Sequence, residues 1–294
     1  MIQSVKQLVP KPVKRSIRPP YDSARSRVRF ALLQRDLRKR YGPGLVYTVA
    51  EQDEMFEFIH DSWKWPHHVE RMRAQSDAMR TYLVSGDVMV RDLETALRDQ
   101  GRTLSDLDSF LEFASGYGRF TRFLVTRLDP AKVTVSDIDQ SAVDFSTRTF
   151  GVSGFYSTAD AADLDHAGQY EVVFIASLFS HLAIECWTPW LERMYALVAP
   201  GGLLVFSTHG LYAREVIYGE HWRDKFEEPA DGFSFLRTNE TDGRLPFDYY
   251  GSTFVTEAFV KDQIEARGLG VVKRVYPSLL WGSQDLYVVE RPAL

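Results

Sequence analysis

From Ser109 to the C-terminus, short runs of β-branched and aromatic residues alternate with segments of helical length. The strand-like runs are FLEFAS, KVTVSD, EVVFIAS, GLLVFST, GVVKRVYP and DLYVVE, and segments such as QSAVDFSTRTF and TEAFVKDQIEARG separate most of them. Strands that alternate with helices need crossover connections, which predict an α/β fold with a mostly parallel sheet. The last two runs have no helix between them, so they predict a terminal antiparallel hairpin.

Residues 46–104 predict a helical extension that precedes the main domain, residues 105–294. Thr48 and Glu51 have the spacing of a capping box, and an apolar helical face begins at Met55. More helix is expected to about residue 100, with an interruption at Ser85–Gly86.

Basic residues are concentrated in an N-terminal arm, residues 1–45. Residues 1–50 hold 12 Lys/Arg against 2 Asp/Glu, so the rest of the chain is acidic, although the net charge is only −5. Phe30, Leu33, Leu37 and Tyr41 recur at helical spacing and predict an amphipathic basic helix. This helix either contacts an anionic membrane peripherally or packs on the acidic body. Nucleic-acid binding is not expected, because the body would repel a phosphate backbone.

The cysteine content excludes two classes of site. Cys186 is the single cysteine, so neither a disulfide framework nor a cysteine metal cluster can form, and we expect a reducing, cytoplasmic location. His67 and His68 are adjacent, which is poor spacing for two metal ligands on one helix face, so no metal is expected. Apolar runs fall short of the ~20 residues that a membrane-spanning helix needs.

The segment LEFASGYGRF places a glycine turn after the first predicted strand. Gly116 and Gly118 let the backbone turn sharply and let a ligand approach it. The phosphate-binding loop pattern is absent, and a dinucleotide fingerprint would need a third glycine at Thr121. The carboxylate of Glu112, just before the turn, favours a ligand that carries positive charge.

Two further acids suggest an adenosine site. Asp137 closes KVTVSD, where a carboxylate can accept both hydrogen bonds of a ribose diol. Asp160 follows the next short strand and can receive an adenine amino group. Each acid alone can also be a loop residue or a helix N-cap. A nicotinamide oxidoreductase stays open if Asp137 serves that cofactor's ribose.

Residues 105–290 resemble class I S-adenosylmethionine-dependent methyltransferases through FLEFASGYGRF, VTVSDID, YEVVFIASLFSHL and LVAPGGLLVFSTHG, in that order. The resemblance implies a Rossmann-like, doubly wound, seven-stranded sheet and S-adenosylmethionine as cofactor. It implies that Asp139 is an alternative diol acceptor, and that Ala114 stands where the family often has glycine. The cofactor-binding residues that it implies are Glu112, Ala114, Ser115, Gly116, Tyr117, Gly118, Asp137, Ile138, Asp160, Ala161 and Ser177.

Methyl transfer from a sulfonium is an in-line displacement, and an alcohol acceptor benefits from a general base. His181, in ASLFSHL, is the first candidate for this base and His209, in FSTHG, the second, although either can be a structural hydrogen-bonding residue instead. The predicted function is methylation of a hydroxyl on a carbohydrate or other small molecule, for example in glycan biosynthesis. A non-catalytic cofactor-binding scaffold is the alternative.

Residues 210–252 form a long connection after the fifth predicted strand, and long connections are often functional. Its aromatic and polar residues predict a pocket for a sugar or another polar ring, and the alternative is a small satellite core. The helices before residue 105, including Trp63, Trp65 and Tyr82, are expected to act as a lid. The candidate acceptor-binding residues are Tyr212, Trp222, Arg237, Tyr249 and Tyr250.

Overall fold

The computed structural model describes residues 35–50, 53, 75–217, 231–237 and 249–293. The helices are α1 (35–41), α2 (Gln75–Arg98), α3 (Thr121–Leu124), α4 (Gln140–Phe150), α5 (Ile184–Ala196) and α6 (Glu257–Ala266). The strands are β1 (Phe110–Phe113), β2 (Val133–Asp137), β3 (Ser153–Tyr156), β4 (Tyr170–Ile175), β5 (Val198–Thr208), β6 (Phe233–Leu236), β7 (Ser252–Val255), β8 (Val271–Leu280) and β9 (Gln284–Glu290). The interpretations placed on Phe30, Leu33, Glu51, Met55, Trp63, Trp65, His67, His68 and Trp222 lie outside the described residues.

Seven strands form one sheet in the order β3-β2-β1-β4-β5-β9-β8. The pairs from β3 to β5 are all parallel, and β9 runs antiparallel to both β5 and β8. The predicted α/β class, the parallel sheet and the terminal hairpin are therefore confirmed. The hairpin folds back so that β9, the last strand, lies inside the sheet and β8 lies at its edge.

Alternate residues of the central strands pack on opposite faces of the sheet. On β4, Val172 and Phe174 join the cluster that α2, α3 and α4 cover, whereas Val173 and Ile175 join the cluster of α5 and α6. This period of two, with both faces buried, is the signature of a doubly wound sheet. The site residues can therefore gather at the carboxyl edge of the sheet.

Helix α2 is continuous through Ser85–Gly86, so the predicted interruption there is wrong. A Cβ at Gly86 would overlap the carbonyl oxygen of Arg119 and press on the ring of Phe123. The glycine thus allows close approach between α2 and the segment that follows the glycine turn.

Helix α3 is shorter than the segment RFTRFLVTRL suggests, because turns follow it from Val125. The hydroxyl of Thr126 and the guanidinium of Arg127 donate to the carbonyl of Phe123 at 2.7 and 3.0 Å. Side chains that bond to local carbonyls in this way compete with continuation of the helix.

The described end of the N-terminal arm packs on the body of the protein. Leu37 and Leu45 are buried, and the ring of Tyr41 lies edge-on to Phe123 with centroids 5.1 Å apart. Packing on the body is therefore the correct interpretation for residues 35–45. None of the helices in the described ranges is long and apolar enough to cross a bilayer.

The connection after β5 contributes a second, two-stranded sheet of β6 and β7. A backbone bridge between His209 and Phe254 attaches this small sheet to the end of β5. A bridge between Leu182 and Tyr250 attaches it to the segment after β4. The sequence had indicated only a long connection here.

Candidate active site

Two non-glycine residues adopt left-handed backbone conformations at the carboxyl edge of the sheet. Ala114, directly after β1, has φ 57°, and Ser177, two residues after the adjacent β4, has φ 63°. A left-handed conformation costs a non-glycine residue roughly 1–2 kcal/mol, and such strain is concentrated at functional sites. The strain marks the ends of β1 and β4 as a candidate site.

The two glycines of the turn have different surroundings. Gly116 and Gly118 have φ values of 53° and 73°, which favour glycine at both positions. A Cβ on Gly118 would overlap the ring of Phe150, so this glycine is needed for packing. A Cβ on Gly116 would meet open space, so a ligand can lie close to its backbone.

Asp137 holds the turn in place from the end of β2. Its Oδ2 accepts the N–H of Gly116 at 2.7 Å, and its Oδ1 accepts the N–H of Asp139 at 2.9 Å. Burial raises the pKa of Asp137, and these backbone hydrogen bonds oppose the rise. An ionised carboxylate has about four acceptor positions, so Asp137 retains the capacity to accept a ligand's hydroxyl groups.

Asp139 serves as the N-cap of α4. Its Oδ1 accepts the N–H and the hydroxyl of Ser141, and its Oδ2 accepts the hydroxyl of Tyr117 at 3.0 Å. The buried Tyr117 ring thus fastens the glycine turn to the start of α4. Ser115 is also buried, and its N–H donates to the carbonyl of Ser136 at 3.1 Å.

Glu112 lies on β1 with only 5% of its surface exposed. The hydroxyl of Thr121 donates to its Oε2 at 2.6 Å. Burial raises the pKa of Glu112 to about 8, and the nearby Asp137 also raises it, while Thr121 and Arg119 oppose the rise. Burial thus favours the protonated form of Glu112, and a further positive charge close to it would favour the ionised form.

The residues predicted for the adenine end lie beyond β2 and β3. Asp160 is exposed, and its Oδ1 caps a short 3-10 helix by accepting the N–H of Ala162 at 2.9 Å. Ala161 is buried at the start of that helix. Ile138 has 41% of its surface exposed, although it is a large apolar side chain.

His181 and His209 lie close together beyond β4 and β5, with ring centroids 6.0 Å apart. The ring of His181 stacks on Tyr250 at 5.0 Å. Its Nδ1 lies 2.8 Å from the carbonyl oxygen of Gly251. A carbonyl only accepts hydrogen bonds, so Nδ1 carries the proton and Nε2 of the neutral ring carries the lone pair.

His209 is buried and joins a polar network with Ser177, Ser207 and Gln284. The amide nitrogen of Gln284 lies 3.3 Å from Nε2 of His209 and donates to it. The amide oxygen of Gln284 accepts the hydroxyl of Ser207 at 2.7 Å, and Ser207 in turn accepts the N–H of Ser177. The network connects the ends of β4, β5 and β9.

Residues 111–204 match the methyltransferase domain family, over the segment that runs from β1 into β5. The chain contains a class I S-adenosylmethionine-dependent methyltransferase domain. The glycine turn, Asp137, Asp160 and His181 lie within the matched part, and S-adenosylmethionine is the cofactor of this enzyme class. None of the curated protein sequences compared with the chain matches it significantly.

A solved methyltransferase structure shares this fold, and two further structures are similar to parts of it. An S-adenosylmethionine-dependent methyltransferase from Clostridium acetobutylicum ATCC 824 superposes with a TM-score of 0.51 at 10% identity, over 81% of this chain and 98% of that chain. An O-methyltransferase family protein from Burkholderia thailandensis gives 0.48 at 16% identity, over 90% and 71%. Magnesium protoporphyrin IX methyltransferase from Synechocystis PCC 6803, with bound S-adenosylhomocysteine, gives 0.48 at 14%, over 81% and 97%.

The described residues among the predicted acceptor-binding set differ in their contacts and exposure. Tyr250 stacks on His181, and the backbone carbonyl of the exposed Tyr249 accepts the N–H of Ala183 at 3.0 Å. Tyr212 is exposed on the helical segment after β5, and Arg237 is exposed after β6. Trp222 lies outside the described residues.

Two site residues of the methyltransferase domain were missed by the sequence interpretation. Gln284 begins β9, and its place beside His209 depends on a strand that returns from the end of the chain. Arg119 directly follows the glycine turn, and its guanidinium lies 4.6 Å from the ring centroid of Trp281. The basic residue after the turn was the available signal for Arg119, whereas no local pattern singles out Gln284.

Proposed function

We propose that this methyltransferase transfers a methyl group to a hydroxyl of a carbohydrate or other small molecule, with His181 as the general base. The observation that carries the proposal is the hydrogen bond from Nδ1 of His181 to the carbonyl of Gly251. It places a proton on Nδ1, so in the neutral tautomer the lone pair lies on Nε2, the form that accepts a proton from an alcohol.

The cofactor supplies an electrophilic methyl group on a sulfonium. We assign its methionine part to the space over Gly116, close to Glu112, and the absence of a side chain at Gly116 supports this assignment. The positive charge of the ligand would favour ionisation of Glu112. The contribution of Gly118, Ser115 and Tyr117 would be to hold the turn, since their side chains or Cβ positions are packed inside the protein.

The nucleoside part is assigned along the ends of β2 and β3. Asp137 would accept the ribose hydroxyls, whereas the carboxylate oxygens of Asp139 already accept bonds from Ser141 and Tyr117. The exposed Ile138 would pack on the adenine face. Asp160 and the N–H of Ala161 would contact the edge of the adenine ring, and Ala114 and Ser177 would line the site with their strained backbones.

His181 is a better base than His209. The Nε2 lone pair of His209 already accepts the amide of Gln284, and its ring is buried. We therefore assign His209 a positioning role, in which it supports the edge of the His181 ring. A group that deprotonates an alcohol must reach the reacting oxygen, and His181 is the more exposed of the two rings.

The acceptor would lie against the small sheet of β6 and β7. Tyr250 extends the aromatic surface of His181, and an aromatic face of this kind suits the apolar face of a sugar ring. The exposed Tyr249, Tyr212 and Arg237 would provide contacts at the outer side of this region, and Trp222 is proposed to contribute with them.

A direct test combines ligand binding with an acceptor screen. Calorimetry should show binding of S-adenosylhomocysteine and none of NAD, and mass spectrometry of products from sugar, phenol and amine acceptors should place the new methyl group on oxygen. His181→Ala should lower turnover about 100-fold or more while affinity for S-adenosylhomocysteine is kept. His166→Ala is the matched control, because His166 contacts Tyr170 and Phe155 away from the histidine pair. Transfer to nitrogen or carbon, or normal turnover in His181→Ala, would contradict the proposal.

Peripheral membrane contact remains a prediction for residues 1–34 of the arm. A variant that lacks these residues should lose any binding to vesicles of anionic lipid, measured by sedimentation. Failure of the intact chain to bind such vesicles at low salt would reject the contact.

A further inference from the structure

A groove of about 380 Å³ lies between helix α2 and the turn that joins β8 to β9. Side chains of α2 line one wall at helical spacing, and Trp281 lines the other. Small-molecule sites commonly have volumes of roughly 300–1,000 Å³, so the groove is large enough for part of a ligand. The lining residues on α2 are Arg80, Thr81, Val84, Ser85 and Val88.

The ring of Trp281 is held rigidly in this groove. Its backbone N–H donates to Asp92 at 3.2 Å, and its indole N–H donates to the carbonyl of Ser85 at 3.2 Å. Its φ of 56° is a strained conformation for a bulky residue. Both ends of the residue are therefore fixed, and the ring presents a preformed apolar wall.

Two guanidinium groups flank this wall. Arg119 lies over the Trp281 ring, and its Nη1 is 3.4 Å from the hydroxyl of Ser85. Arg80 pairs with Asp36 at 2.8 Å, and these side chains are 54% and 63% exposed. Ion pairs this exposed are weak, so an oxyanion can replace Asp36 at little cost. The groove thus combines a flat apolar surface with the positive charge of Arg80, while Arg119 lies against the Trp281 ring without lining the groove.

One short turn connects the groove to the candidate site. Trp281 precedes β9 by three residues, and β9 begins with Gln284. Gln284 bonds to Ser177 and to His209 in the network described above. Arg119, which lies over the Trp281 ring, directly follows Gly118 of the glycine turn. Trp281 is thus three residues from a contact of His209, and the Arg119 on its ring is one residue from the glycine turn.

We propose that this groove holds the far end of the methyl acceptor, and that this end is an oxyanion, phosphate or carboxylate, attached to a ring or other apolar group. The apolar group would pack on Trp281 and Val84, and the oxyanion would contact Arg80, the guanidinium that lines the groove, since guanidinium groups bind such anions through paired hydrogen bonds. The inference rests on the proposed function, because it assigns the groove to the same substrate.

The test uses the full chain labelled with 5-fluorotryptophan and observed by fluorine NMR. Trp281→Phe identifies the resonance of Trp281 by its disappearance. The probes are phenyl phosphate, benzoate and the neutral benzyl alcohol, which share a ring and differ in charge. The Trp281 resonance should shift with phenyl phosphate or benzoate and shift much less with benzyl alcohol. Comparison of the two anions tells which oxyanion the groove prefers. Equal response to all three probes, or none, would overturn the proposal.

Arg80→Gln should weaken binding of the preferred anion about tenfold, which corresponds to about 1.4 kcal/mol. Arg148→Gln removes an equal charge from exposed α4, where its Nε donates to the Asp144 carbonyl, and should leave binding unchanged. Equal weakening by both variants would show a general charge effect and reject the groove as the anion site.

Calorimetry with S-adenosylhomocysteine separates the two proposals. Failure of this ligand to bind the unaltered chain would reject the cofactor site, while the fluorine shifts would still test anion binding in the groove.

Discussion

The Nε of Arg122 donates to the carbonyl of Gly118 at 2.9 Å, which ties a fully buried guanidinium to the glycine turn. The same group bonds through Nη1 to the carbonyls of Val46 and Thr48, both at 3.1 Å. The guanidinium carbon of Arg122 lies 5.1 Å from the centroid of the Tyr82 ring. One side chain thus connects the segment after α1 to the glycine turn.

Arg122→Lys should weaken both stability and cofactor binding. A lysine cannot reach all these carbonyls at once, and a buried acceptor left without a donor costs about 1–3 kcal/mol. Urea unfolding and calorimetry with S-adenosylhomocysteine would measure the two effects. Arg98→Lys, at the exposed end of α2, is the control and should change neither. Unaltered ligand affinity in Arg122→Lys would show that the connection does not position the turn.

Asp137→Asn should lower affinity for S-adenosylhomocysteine by roughly 1–3 kcal/mol if the carboxylate accepts the ribose hydroxyls through charge-assisted bonds. Asparagine preserves the side-chain volume and one acceptor oxygen. Asp144 is exposed and accepts the Tyr156 hydroxyl, so Asp144→Asn is the control and should bind S-adenosylhomocysteine normally. Calorimetry at neutral pH would compare the affinities of the two variants for S-adenosylhomocysteine. Equal affinities would show that Asp137 does not belong to the cofactor site.

Glu112 should make the free protein less stable as pH rises from about 4.5 to about 8. Its pKa is raised from 4.5 to about 8 in the folded state, so the folded protein binds more protons than the unfolded chain within this window. The contribution of Glu112 to the free energy of unfolding is then fully present below pH 4.5. It falls as pH rises towards 8, by up to about 1.4 kcal/mol per pH unit. Glu112→Gln should remove this part of the pH dependence, which unfolding in urea at several pH values would reveal. Parallel profiles for the two proteins would mean that Glu112 is ionised when buried.

Gly86→Ala should destabilise the protein, although alanine is the better helix former by about 1 kcal/mol. The added methyl group would overlap the carbonyl of Arg119 and force α2 away from the glycine turn. Overpacking of this kind costs about 1–3 kcal/mol. Gly44→Ala meets open space and serves as the control. The melting temperature should fall in the first variant only, and a rise for Gly86→Ala would show that the helix shifts freely.

The sequence predicted those parts of the molecule that depend on local patterns. Helix α4 begins after Asp139 and ends before Gly151, as QSAVDFSTRTF indicated, because an N-cap and a left-handed glycine define its two ends. The carboxyl edge of the sheet likewise follows from the strand order. Patterns such as the N-cap and the C-terminal glycine lie within consecutive residues, so the sequence alone predicts them.

The features that the sequence did not predict depend on contacts between distant segments. Gly86 looked like an interruption because its partner, Arg119, lies 33 residues further along the chain. The tautomer of His181 depends on Gly251, and the lone pair of His209 depends on Gln284. At Gly86, tertiary packing outweighs the low helix propensity of glycine. At His181 and His209, contacts with distant residues determine the hydrogen-bonding state of each ring.

The position of β9 has a consequence for biosynthesis. This strand inserts between β5 and β8, and it delivers Gln284 to residues that were synthesised about a hundred positions earlier. A nascent chain that has emerged only as far as α6 already contains the glycine turn, Asp137 and both histidines, yet it lacks the strand that orients His209. The residues proposed for the cofactor are therefore all synthesised before β9, whereas the polar network around His209 is completed only when this last strand arrives.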